Sequence, residues 1–211
     1  AKLVRIAKTD VLDVTDYCRK NSFTPNAYFN SAFGYTLSFF HNSEDAVYTT
    51  IYNGRSDSRL SRSISMLVKT LPVLVHTEGN RIITDMIRET QEQLMNNMTN
   101  DIFSFAEISA AYGIKSDIIF AYQGDEFAFN SLAGEPVEVI NPAPAGAKAP
   151  IVLNVYLADN QYRFVSDFRL EHYNSDFIES FLDVFEMTLK GFTEKSKTSF
   201  IFVTSLHKTP K

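Results

Sequence analysis

The chain is expected to fold as an α/β (α+β) protein, a mixed sheet flanked by helices. Strand-type and helix-type periodicities interleave along its 211 residues, and no segment repeats. The composition also supports a large core: hydrophobic residues make up 45% and aromatics 13%, with 18 Phe and 10 Tyr, far from the make-up of disordered chains.

Taken in order, Lys2 to Ala7 reads as a short strand, and Asp10 caps a helix whose apolar face is Val11, Val14 and Cys18. Thr24-Pro25 is an N-cap and first-turn pair opening AYFNSAFGYTLSFF, apolar on nearly every side and therefore a central, buried helix. AVYTTIYNG, from Ala46, is β-branched and aromatic and stops at Asn53-Gly54. LVKTLPVLV, from Leu67, is the next strand, and Pro72 assigns it to an edge or a bulge because proline has no N–H for a ladder.

From Asn80 an amphipathic helix sets Ile83, Ile87, Leu94 and Met98 on one face. Phe103 to Tyr112 forms a shorter helix stopping at Gly113, and Ser116 to Tyr122 a strand. The three prolines of NPAPAGAKAP, residues 141–150, make that segment a loop inside the domain. IVLNVYLADNQYRFVSDF then reads as a hairpin turning at Asp159-Asn160, with Ile151, Leu153, Val155 and Leu157 on one face. Asn174 or Ser175 caps a helix carrying Ile178, Phe181, Leu182, Phe185 and Leu189 and ending at Gly191, and SFIFVTSL from Ser199 is a last strand. A single domain over 1–203 with a tail or linker over 204–211 follows. Its core is expected to contain Phe29, Phe33, Leu37, Ile51, Leu71, Phe120, Val155, Phe164, Phe181 and Phe185.

Several function classes are excluded. A net charge of −5 argues against a general nucleic-acid binder. No apolar run approaches the ~20 residues needed to span a bilayer. One cysteine, Cys18, supports neither a disulfide framework nor a cysteine-based zinc site, so a reducing cytoplasm is the expected compartment. The four histidines, His41, His76, His172 and His207, never fall at helical metal-site spacing, and no metal is expected. There is no phosphate loop, GxSxG elbow or dinucleotide fingerprint. The chain starts at Ala1 rather than Met, as expected of a piece of a longer protein.

One segment is specific. Residues Tyr52 to Val75, YNGRSDSRLSRSISMLVKTLPVLV, resemble the motif of nonribosomal peptide synthetase condensation domains in which an NGR turn precedes IGxFVNTLPLRV. Asn53, Gly54 and Arg55 keep the turn, and Thr70, Leu71 and Pro72 keep the end. Ser65 stands at the motif's Gly and Lys69 at its Asn. A second segment, YGIKSDIIFAYQGDE, resembles the family's aromatic strand ending near Gln, here Tyr122-Gln123.

The resemblance runs through nearly the whole chain and matches the C-terminal lobe of that chloramphenicol acetyltransferase-like fold. It implies a tunnel wall holding Asn53, Gly54, Arg55, Lys69, Thr70, Pro72, Tyr122 and Gln123. The family's HHxxxDG motif belongs to the other lobe, and no HH pair occurs here, so no catalytic residue is expected in this chain. The parent would join a carrier-bound thioester to a carrier-bound amine.

The implied partners are the missing N-terminal lobe and the peptidyl carrier and adenylation domains. No cofactor is bound directly, phosphopantetheine being carried by the carriers. Arg55, Arg59 and Arg62 are candidate contacts for an acidic carrier. An apolar patch around Met66 to Pro72 is expected where the other lobe packs, a face that a second copy could cover in a crystal. The alternatives are an epimerising, cyclising or other acyl-transferring relative, a non-catalytic carrier-binding module, or a fold relative with a different substrate.

Overall fold

The computed structural model describes residues 1–55, 58–60, 62–78, 81–125, 131–132, 135–136 and 147–194. In chain order the elements are β1 (Lys2–Ile6), α1 (Val11–Asn21), α2 (Pro25–His41), β2 (Asp45–Tyr52), β3 (Lys69–His76), α3 (Ile83–Thr99), α4 (Phe105–Tyr112), β4 (Ile118–Asp125), β5 (Ser131–Leu132), β6 (Glu135–Pro136), β7 (Ile151–Ala158), β8 (Gln161–Phe168) and α5 (Ser175–Glu194). Six strands form one sheet in the order β1-β8-β7-β4-β2-β3, while β5 and β6 pair separately. Strands β2, β4 and β7 run parallel, and β1, β3 and β8 are antiparallel to their neighbours, so the sheet is mixed as expected.

Local chemistry sets the helix starts. The Asp10 carboxylate accepts from Leu12 N at 2.7 Å and Asp13 N at 3.2 Å, and Thr24 Oγ1 accepts from Ala27 N at 3.2 Å with Pro25 in the first turn. Asn174, not Ser175, caps α5, its side-chain oxygen accepting from Phe177 N at 2.8 Å. The β7–β8 hairpin turns on Asp159 and Asn160, both at positive φ (51° and 57°), the backbone that matches the twist of a two-residue turn.

Helix α2 is the buried centre, with every residue from Ala27 to Ser38 buried. Gly34 lets it lie against β3, since a Cβ there would sit 2.4 Å from Val75 Cγ2. Phe33 stacks on Phe120 of β4 at 4.5 Å between ring centres and meets Tyr48 and Phe181 edge-on at 5.0 and 5.6 Å. Such pairs add roughly 0.5–1.5 kcal/mol each beyond area burial.

Two expectations are corrected. Ile51 is 37% exposed because the strand period puts it with Val47 on the sheet face away from α2, opposite Tyr48 and Thr50. Helix α5 runs through Gly191 to Glu194: the apolar stripe continues to Phe192, whose ring packs on Tyr28 and Tyr35. The other nine core residues named from sequence are buried. The short helix begins at Phe105 rather than Phe103, because Ser104 and Glu107 form a capping box. The last strand from Ser199, the tail and most of the 141–150 loop lie outside the described residues.

Strand β3 is an edge, as Pro72 required, and α3 covers it. Leu74 N donates to Gln93 Oε1 at 2.8 Å, Gln93 Nε2 donates back to Leu74 O at 3.2 Å, and Asn97 Nδ2 donates to Pro72 O at 2.7 Å. No described helix is long and apolar enough to cross a membrane.

Candidate functional site

The NGR turn has a physical reason for each residue. Asn53 Oδ1 accepts from Arg55 N at 3.0 Å, closing an Asx turn. Gly54 sits at φ +67° with Leu67 O where its Cβ would be, 1.9 Å away, so no other residue fits without moving the chain. The Arg55 guanidinium is the hub of the loop that follows: Nη1 donates to Leu60 O at 2.7 Å and Ser63 O at 3.0 Å, and Nη2 to Ser65 O at 3.1 Å. This holds Ile64 and Met66 out from the surface, Met66 being 88% exposed.

Of the three arginines singled out from sequence, Arg55 is therefore committed to the loop, whereas Arg59 and Arg62 are exposed on it. Lys69 opens β3 opposite Tyr52. Its Nζ lies 3.1 Å from Asp101 Oδ2 and donates to Asp101 O at 2.5 Å, pinning the α3–α4 linker beside the strand.

Between them lies a groove of ≈ 380 Å³ walled by Val68, Lys69, Thr70, Ile102, Phe103 and Phe105. Thr70 and Phe105 also line a second groove of ≈ 530 Å³, rimmed by Lys148, Arg169 and His172. Val68, Ile102 and Phe103 are exposed apolar residues lining the first groove, and exposed Met66 stands two residues before Val68. The apolar patch expected from Met66 to Pro72 is thus present at Met66 and Val68 and is extended by the linker.

Strand β4 runs parallel to β2 with Thr50 beside Phe120, so Tyr122 arrives level with Tyr52 and Lys69, about 10 Å from Lys69 across two strand spacings. The structure separates the Tyr122-Gln123 pair. Tyr122 stacks on Phe29 of α2 at 5.3 Å and packs, half-buried, against the core. The ladder shifts register between Tyr122 and Gly124, and Gln123 Nε2 donates to Asn154 Oδ1 at 3.1 Å.

These groups can position a ligand. Ser104 binds the Glu107 carboxylate through its N–H at 2.8 Å and its hydroxyl at 2.7 Å, holding that carboxyl below the usual range and keeping it ionised. His76 lies at the other end of β3, between the carboxylates of Asp45 and Glu78. Among the described residues no group of three or more His, Cys, Asp and Glu is arranged to hold a metal ion. Sequence reading missed Asp101, although a carboxylate just past a helix C-terminus, where the helix dipole disfavours it, signals an outside cation.

The family profile described as "Condensation domain" matches residues 2–206. The chain belongs to the condensation-domain family. Bacitracin synthase 3 of Bacillus licheniformis is 25% identical over 130 residues, covering 58% of this chain and 2% of that protein. A holo four-domain nonribosomal peptide synthetase bound to AMP and glycine superposes with a TM-score of 0.79 at 14% identity, over 94% of this chain and 17% of that one. The epimerization domain from the third module of tyrocidine synthetase B superposes with a TM-score of 0.68 at 16% identity, over 92% of this chain and 48% of that one. This condensation-domain chain thus spans about half of a solved single-domain relative and a small part of the synthetases it matches.

Proposed function

We propose that this chain is the C-terminal half of a condensation domain whose parent joins a carrier-tethered aminoacyl or peptidyl thioester to a carrier-tethered amine. The observation that carries this reading is the family match over residues 2–206 in a chain about half the length of a related complete domain. The groove at Lys69 and Thr70 is read as one wall of the tunnel for the two phosphopantetheine arms. The patch of Met66, Val68, Ile102 and Phe103 is read as a seat for the absent lobe.

In the amide-forming step the amine nitrogen attacks the thioester carbonyl, the thiolate leaves, and the nitrogen's proton passes to a base. No HH pair exists in this sequence to serve as that base, so this half contributes positioning. Holding two tethered reactants in register is itself worth several kcal/mol of barrier. Arg59 and Arg62 are the proposed contacts to an acidic carrier protein, with Arg55 acting through the loop it holds.

The experiment is product formation from carrier-loaded donor and acceptor. The intact parent domain should yield the amide and the 211-residue chain alone should not. Amide formation by the isolated chain would overturn the half-domain reading, and a parent that binds carriers without forming amide would make the domain a non-catalytic binding module. Epimerised donor in place of amide would make it an epimerising relative. In the parent, Arg59→Glu with Arg62→Glu should weaken carrier binding, with the loss shrinking as salt rises.

A further inference from the structure

We infer that the groove at the head of β4 and β7 is a binding site for a phosphate group carried on an organic arm. Register brings three chain segments level there: Ile118 of β4 lies beside Ile151 of β7, and Ile151 lies opposite Phe168 at the end of β8. Residues just outside these positions therefore meet at one end of the sheet. Arg169 N donates to Pro150 O at 3.0 Å, Ile151 N to Asp117 O at 3.4 Å, and His172 N to Arg169 O at 3.0 Å, which closes a turn. These contacts bring Lys148, Arg169 and His172 to the rim of the ≈ 530 Å³ groove.

The charge at this rim runs against that of the chain, whose net charge is −5. Lys148 and Arg169 are exposed, and among the described residues neither pairs with a carboxylate. Elsewhere Arg5, Arg88 and Arg163 each hold an aspartate at 2.6 Å. Asp117 is the single carboxylate among the lining residues. The groove along α1 and α5 has the opposite balance, with five carboxylates and two lysines. Unneutralised cations gathered around a concavity focus their field and raise the local concentration of anions.

The donors select phosphate. A planar guanidinium, an ammonium and an imidazole reach in from separate positions, and phosphate oxygens point in several directions at once, whereas a carboxylate offers two in one plane. The groove has room for more than the anion, and its walls include Phe105, Ile119 and Pro150. It shares Thr70 and Phe105 with the first groove, whose walls at Val68, Ile102 and Phe103 are apolar. A phosphate head at Lys148 and Arg169, with an arm crossing Thr70 towards Val68 and Phe103, uses both grooves. The path of the arm rests on the tunnel-wall reading of the first groove; the phosphate site does not. The head group is common to a carrier-borne phosphopantetheine arm and to free phosphate.

Chemical-shift titration of the 211-residue chain with phosphopantetheine, pantetheine and inorganic phosphate separates the two sources. Phosphopantetheine should bind about tenfold more tightly than pantetheine, which has the arm without the phosphate, and inorganic phosphate should compete with it. Lys148→Gln with Arg169→Gln should erase that preference. Asp117→Asn should tighten phosphopantetheine by about threefold, because it removes the one like charge, and a misfolded chain cannot imitate that gain. Equal affinity for phosphopantetheine and pantetheine overturns the phosphate site and leaves the tunnel wall standing. A preference that survives both neutral substitutions in a folded chain overturns it too, as does no binding of either phosphate compound. Inorganic phosphate that binds, is lost with those two substitutions and gains nothing from the arm upholds the site, makes its ligand a free phosphate and counts against the tunnel-wall reading.

Discussion

Lys69, the first residue of β3, is tied to Asp101, just past the end of α3, by an ion pair of 3.1 Å. The motif that this segment resembles carries Asn at this position, and Lys69 makes the contact here as a charge pair. The side chains are 39% and 22% exposed, so solvent screening limits the pair to roughly 0.5–1 kcal/mol. A double-mutant cycle of Lys69→Met and Asp101→Asn in urea unfolding should return a coupling of that size. The linker amides around Ile102 should exchange faster in either single variant. Independent, additive effects would show that the pair does not fasten the linker.

Gly54→Ala should destabilise the chain by about 2 kcal/mol or more, because the new Cβ meets Leu67 O at a backbone angle that alanine rarely adopts. Chemical denaturation reads this directly. A loss of a few tenths of a kcal/mol would mean that the turn relaxes freely.

Arg55→Lys should fail to substitute for arginine. Three carbonyls converge on a planar fork, and an ammonium is a point charge that cannot reach them with the same geometry. Limited proteolysis should cut the loop between Leu60 and Ser65 much faster in Arg55→Lys and Arg55→Ala, while global stability falls by only about 1–3 kcal/mol. Equal resistance in wild type and Arg55→Ala would remove the hub role.

His76 gives the β2–β3 pair a pH dependence of defined sign. Its Nδ1 faces Asp45, its cross-strand partner, and its Nε2 lies 3.2 Å from Glu78, with Arg81 nearby. Hydrogen bonds to Asp45 and then Glu78 raise its pKa above 6.5, so the folded state binds this proton more tightly than the unfolded chain. The stabilisation is fully present below about pH 6.5 and fades as pH rises through the raised value. Melting curves of wild type and His76→Gln should differ most at acidic pH and converge at alkaline pH. An NMR titration placing His76 at or below 6.5 would contradict this.

Phe33→Ala should destabilise the chain severely and weaken its near-UV circular dichroism. Phe33 is fully buried and its ring meets Phe120, Tyr48, Phe181 and Phe185. Deleting such a side chain typically costs 3–5 kcal/mol, much of a domain's net stability. Retention of the near-UV circular dichroism at ambient temperature would show a core that collapses around the hole.

Elements whose cause is local were legible in the sequence. Asp10, Thr24-Pro25 and Asp159-Asn160 each act on backbone within a few residues, and the strands and helices begin or turn where those residues stand. Gly191 misled because a glycine stops a helix only when nothing beyond it needs burial, and Phe192 has Tyr28 and Tyr35 to pack on. Ile51 misled because hydrophobicity does not report which face of a strand is covered. In the candidate site the NGR turn was visible, but the partners of Arg55 and Lys69 are carbonyls and a carboxylate brought together by the fold. Backbone acceptors have no residue-type signature, and Asp101 is 32 positions from Lys69.

The pairing of Lys2 with Asp167 fixes an order of events during synthesis. The β7–β8 hairpin closes across a two-residue turn as soon as it leaves the ribosome. Strand β1 is made well before β8, its partner among the described strands. At ribosomal speeds of about 5–20 residues per second the interval is roughly 8 to 30 seconds. Through that time β1, bearing Val4 and Ile6, waits without its β8 partner, and it joins the sheet only once the hairpin has formed.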